Sequence, residues 1–91
     1  MLIKHSDSYE INFITGTSYL ANKNPISSLP LLLKAHKINL SSSICLLNIS
    51  ICYKQLKNLP QYKKYLDLAH FCDPDNIEII CELGFFHLYT N

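Results

Sequence analysis

Cysteine and histidine carry the widest chemical repertoire in this chain, at Cys45, Cys52, Cys72, Cys81, His5, His36, His70 and His87. Cys45 and Cys52 lie on one helical stretch, seven residues apart. At 1.5 Å per residue that is about 10 Å along the axis, too far for a disulfide and too far to share one metal. His70, Cys72 and Cys81 could be imagined around an ion, but their spacing follows no zinc pattern. The reading is that the four cysteines are buried thiols acting as small hydrophobes. His36 and His70 recur at a fixed interval, which points to packing, with one ring nitrogen bonded to a backbone carbonyl.

No other residues assemble into a catalytic pattern. The only glycines are Gly16 and Gly84, so there is no phosphate-cradling loop. Ser, His and acidic residues occur, but no nucleophile motif joins them. Asp73 and Asp75 flank a proline in a turn, where they serve a helix boundary. Lys63 and Lys64 read as solvated charge, and Tyr19, Tyr53 and Tyr62 stand at core spacing. No enzyme, cofactor or metal site is expected.

Composition narrows the class further. The 91 residues make one small domain, 48% hydrophobic and only 16% charged, which leaves apolar surface for a partner. All eight basic residues are lysines, with a formal charge of +1. A nucleic-acid binder would show a basic stripe containing arginine, so that class is set aside. No stretch has the ~18 apolar residues of a membrane span, and the first residues lack a signal-peptide core. A cytoplasmic protein with reduced thiols is expected.

The elements that would position these residues are helices in pairs. Ser43 to Asn76 reads as two amphipathic helices, about 44–56 and 59–72, closed by Asp73-Pro74-Asp75-Asn76. Shifting the chain by 34 residues lays Tyr19 on Tyr53, Lys23 on Lys57, Asn24 on Asn58, Leu32 on Leu66, Ala35 on Ala69 and His36 on His70. Leu46 falls on Ile80 and Ile49 on Leu83, while Gly16 meets Gly84 after two shifts with Ser50 between. That period is the mark of a tetratricopeptide array. The chain resembles the tetratricopeptide-repeat (TPR) family over nearly its whole length. A weaker likeness in repeat style is to the class II chaperones of type III secretion, which carry three repeats.

The resemblance implies an all-α, TPR-like superhelical array of about five antiparallel helices: a leading segment 1–8, repeat 1 over 9–42, repeat 2 over 43–76, and the first helix of an incomplete repeat 3 over 77–91. Leu46, Ile49 and Tyr53 match the family on one helix, and Tyr62, Leu66 and Ala69 on the next. Tyr62 stands where the family has a small residue, and a wider helix contact is expected there. Gly16 costs about 1 kcal/mol against Ala in a helix; in the family a small residue there admits the second helix.

In chain order, the first helix is expected over about 9–22, capped by Asp7 or Ser8, with Ile11, Ile14, Thr15, Ser18 and Tyr19 on its buried side. Pro30 lies five residues after Pro25. A late start near Ser28 to Pro30 is therefore expected for the second helix, with a loose turn before it and an end at about Asn39. The fifth, about 77–89, is apolar on nearly every side and so should be buried.

The family pattern puts the first helix of each repeat on a concave groove. Its partner-binding wall would be Phe13, Thr17 and Leu20, with Glu10 beside them; Ile44, Leu47, Asn48, Ile51 and Lys54; and Cys81, Phe85 and Leu88, with Glu78 beside them. The wall lacks the basic set that grips a carboxylate. It suits a protein or peptide with an apolar segment, bound by an adaptor or chaperone-like module. The alternative is a self-assembling scaffold or a fragment of a larger repeat protein. Helix 77–89 would then be covered in a homodimer or by a partner.

Overall fold

A computed structural model describes residues 8–90, with the side chains of the last two left aside. The segment 1–7, including Asp7 as a cap, lies outside the described residues. The chain forms α1 (Tyr9–Ala21), α2 (Pro25–Ile38), α3 (Ser43–Gln55), α4 (Leu59–Cys72) and α5 (Ile77–Thr90). Among the described residues there is no strand.

The helix starts repeat every 34 residues. Ser8 Oγ accepts from the Ile11 N–H at 3.4 Å, Ser42 Oγ from Cys45 at 3.3 Å, and Asn76 Oδ1 from Ile79 at 3.3 Å. Asn24 and Asn58 cap α2 and α4 in the same way, bonding Ser27 at 3.2 Å and Gln61 at 3.3 Å. Each cap satisfies an amide that has no partner inside its helix. Just before two of them, Lys23 and Lys57 adopt left-handed backbone with φ of 60° and 61°. These turns are equally matched in their bonds: the amides of Asn24 and Asn58 reach Tyr19 O and Tyr53 O, both at 2.9 Å.

Short connections fold each helix back on the one before. Ser28 Oγ donates to Gly16 O at 2.6 Å and accepts from Cys52 Sγ at 3.4 Å, while Cys45 Sγ donates to Leu32 O at 3.3 Å. These bonds run α3 antiparallel to α2. Tyr9 Oη pairs with Ser42 Oγ at 2.7 Å, which sets the starts of α1 and α3 side by side. The molecule is elongated, 53 × 26 × 18 Å. One core cluster joins Leu20, Leu32, Ala35, Cys45, Ile49 and Cys52; a second joins Leu46, Leu47, Tyr62, Leu66, Ala69 and Ile79.

Three expectations are corrected. Helix α2 starts at Pro25, three residues before the expected point. Pro25 takes the first helical position, where a proline costs nothing, behind the Asn24 cap. Pro30 lies on the exposed side of α2, and the Ser28 hydroxyl anchors the early turn to α1. In α1 the buried residues are Asn12, Gly16 and Leu20, whereas Ile11, Ile14 and Tyr19 are exposed. The close approach of Leu32 to Gly16 turns that side inward, and Asn12 Nδ2 is satisfied by Ser8 O at 2.8 Å. Helix α5 is not enclosed: it buries Ile79, not Ile80, and leaves Ile77, Ile80, Phe85 and Leu88 exposed. Among the described residues it rests mainly on α4.

Candidate functional site

The expected groove wall separates into parts that the fold brings together and parts that it uses as core. Phe13 and Ile44 open onto one cleft of about 410 Å³, with Tyr9, Asn39, Ser41, Ser42 and Ser43 around them. Phe13 is held by its stack on Tyr9, with ring centroids 5.6 Å apart. Tyr9 reaches over to the Ser42 cap at the edge of this cleft. Its wall combines two rings and an isoleucine with hydroxyl and amide groups. Such a wall can seat an apolar side chain while bonding a peptide backbone.

Lys54 and Phe85 also meet. The Lys54 ammonium lies 4.0 Å from the Phe85 ring centroid and 3.3 Å from both carboxylate oxygens of Glu82. Tyr62 Oη donates to Glu82 Oε2 at 2.6 Å. The four residues tie α3, α4 and α5 at one point. Asn48 and Ile51 are half-buried along the same side of α3, Thr17 is half-buried on α1, and Cys81 and Leu88 are exposed on α5. Leu20 and Leu47 are different. Leu20 belongs to the first core cluster, and Leu47, only 4% exposed, is enclosed in the second with Ile79. Neither presents an open wall, because α2 and α5 close over them.

No protein-family model matches the chain, and no curated protein is similar to it. Among the described residues, no three of His, Cys, Asp and Glu gather as a metal site, and no helix is long and apolar enough to cross a membrane.

Two thiols are buried, Cys45 and Cys52, while Cys72 and Cys81 are exposed, so only half of the cysteines act as core. The buried pair also donates hydrogen bonds, which residue type alone did not signal. His36 meets the edge of Tyr65 at 6.4 Å, and Tyr65 stacks on Tyr53 at 5.7 Å. This is the packing role expected of His36, although the Nδ1 atoms of His36 and His70 have no hydrogen-bond partner.

Burial pushes the Cys45 thiol up from 9.0 to about 11, and raises Cys52 as well, where the Ser28 bond opposes part of the rise. Tyr62 is raised by burial and by the adjacent Glu82 carboxylate. All three are neutral in the fold. The unfolded chain releases the thiol protons first, near the ordinary value of 9.0. Their contribution is thus complete below pH 9 and is lost as pH rises through the folded values. The thermal midpoint is expected to fall between pH 8 and pH 10.5, and Cys45→Ala should flatten that fall. A midpoint independent of pH over this range would contradict the burial argument.

Proposed function

We propose that the chain is a tetratricopeptide-type protein-binding module that takes an apolar or amphipathic segment of another protein along the side formed by α1, α3 and α5. The observation that supports this most is the cleft shared by Phe13 and Ile44. It pairs aromatic and aliphatic walls with serine hydroxyls, and Ile44 keeps 49% of its surface exposed. Covering such surface releases about 25 cal/mol per Å², before the ordering of the bound segment is subtracted. An adaptor or chaperone-like role follows from that exchange.

The test is selection of peptides on the immobilised chain from a random displayed library. Enriched peptides should carry at least two large apolar residues. Their affinity for Ile44→Lys is expected to drop about tenfold or more, because a lysine in the cleft must be desolvated. Ile44 is exposed, so the variant should keep its circular dichroism spectrum and its stability within about 0.5 kcal/mol. Equal binding to the parent and the variant would remove the cleft as the site. Leu47 is unsuitable for such a test, because a lysine there would break the core.

A further inference from the structure

The three buried residues of α1 have exposed counterparts in α5. Asn12, Gly16 and Leu20 are the buried residues of α1. Two shifts of 34 carry them to Ile80, Gly84 and Leu88, of which Ile80 is 47% and Leu88 84% exposed. On α3 the corresponding Leu46 and Ser50 are also buried.

The reason for a glycine at this place is visible on α1. A Cβ at Gly16 would lie 2.9 Å from Leu32 Cγ, so a leucine of the following helix occupies the notch. A Cβ at Gly84 would meet nothing within 4 Å. The notch is present and the leucine is not. Ile77, Ile80, Cys81, Gly84 and Leu88 follow helical spacing along one stripe of α5, opposite the Ile79, Glu82, Leu83 and Phe86 side that packs on α4.

We propose that this stripe docks a helix of another polypeptide, seated as α2 is seated on α1. The chemistry of that helix follows from the two interfaces already in the chain. The inward residues are Ser28, Leu32 and Ala35 on α2 and Tyr62, Leu66 and Ala69 on α4, all at 0% exposure. The docked helix thus presents a leucine to Gly84, an alanine three residues later, and a serine or tyrosine four residues earlier. A second folded copy has no such helix to offer, because both of its own are already buried.

The probe is a synthetic peptide of residues 58–72, the capped α4 sequence, carrying Cys72→Ser and a fluorophore. It is titrated into the full chain by anisotropy. Saturable binding is expected, weakened about tenfold or more by Gly84→Leu, which fills the notch, and lost with Leu66→Lys in the peptide. Gly84→Leu should not lower the thermal midpoint, since its Cβ meets nothing within 4 Å. Ile44→Lys should leave peptide binding intact, so failure here and failure of the cleft are separate results. Three results overturn the proposal: no saturable binding at millimolar peptide, equal binding to the parent and Gly84→Leu, or a dimer in sedimentation that Gly84→Leu dissolves and the peptide does not compete for.

Discussion

Tyr62→Ala is expected to destabilise the chain by about 3–5 kcal/mol, read as a shift of the urea midpoint in circular dichroism. The ring is 0% exposed and forms one core with Leu46, Leu47, Leu66 and Ile79. Its centroid lies 5.4 Å from that of Phe86, and its hydroxyl donates to Glu82 at 2.6 Å. Removing the ring opens a cavity between α3 and α4, and also cuts the only hydroxyl tie from α4 to α5 that the described bonds contain. Tyr62→Phe separates the two effects. It keeps the ring and deletes the hydroxyl, at an expected cost of about 1 kcal/mol. Since Lys54 still pairs with Glu82, the carboxylate is not stranded. If Tyr62→Ala and Tyr62→Phe cost the same, the packing account of this residue fails.

Tyr62 also shows where sequence reading reached and where it stopped. Its place on the inner side of α4 was legible from the family resemblance and from helical spacing. Its size suggested a wider helix contact. The fold also uses the length of the side chain, whose hydroxyl bonds Glu82 on α5. No periodicity argument contains that, because the acceptor sits twenty residues away on another helix. The helix pairs and their boundaries, the start of α2 excepted, were legible for a local reason: caps and turn residues act within one turn of the chain. Ser8, Ser42 and Asn76 repeat at the same interval as the apolar pattern, a signal that the core residues alone did not supply.

The inward sides of α1 and α5 were harder to read. Both helices carry apolar residues around most of their circumference, so spacing offers more than one face. In α1 the choice falls to Gly16, because only there can Leu32 come close; Ile11 and Ile14 lose to an asparagine that finds Ser8 O. Leu20 and Leu47 were assigned to the groove on a family pattern, but their burial depends on how neighbouring helices close over them. For α2, the Asn24 cap and the Ser28 bond together outweigh the one hydrogen bond that Pro30 cannot make.

The two glycines should respond to the same substitution with opposite sign. Gly16→Leu is expected to cost about 3 kcal/mol or more. Even a Cβ there would come within 2.9 Å of Leu32 Cγ and 3.3 Å of Leu31 Cβ. Leu32 is fully buried, and its Cγ is a branch point rather than a mobile tip, so relief requires α1 and α2 to move apart. That separation also lengthens the Ser28–Gly16 bond and, through Cys52, loosens α3. A Cβ at Gly84 meets nothing within 4 Å, and leucine replaces the poorer helix former, so a gain of about 0.5–1 kcal/mol is expected. The two measurements share a repeat position, a residue change and a helical conformation; they differ in whether a leucine of the described residues fills the notch. A loss at both positions would mean that glycine serves the backbone of these helices, and the notch on α5 would then have no claim to a partner. A loss at Gly16 with a gain at Gly84 places the whole effect on the leucine that fills one notch and leaves the other open.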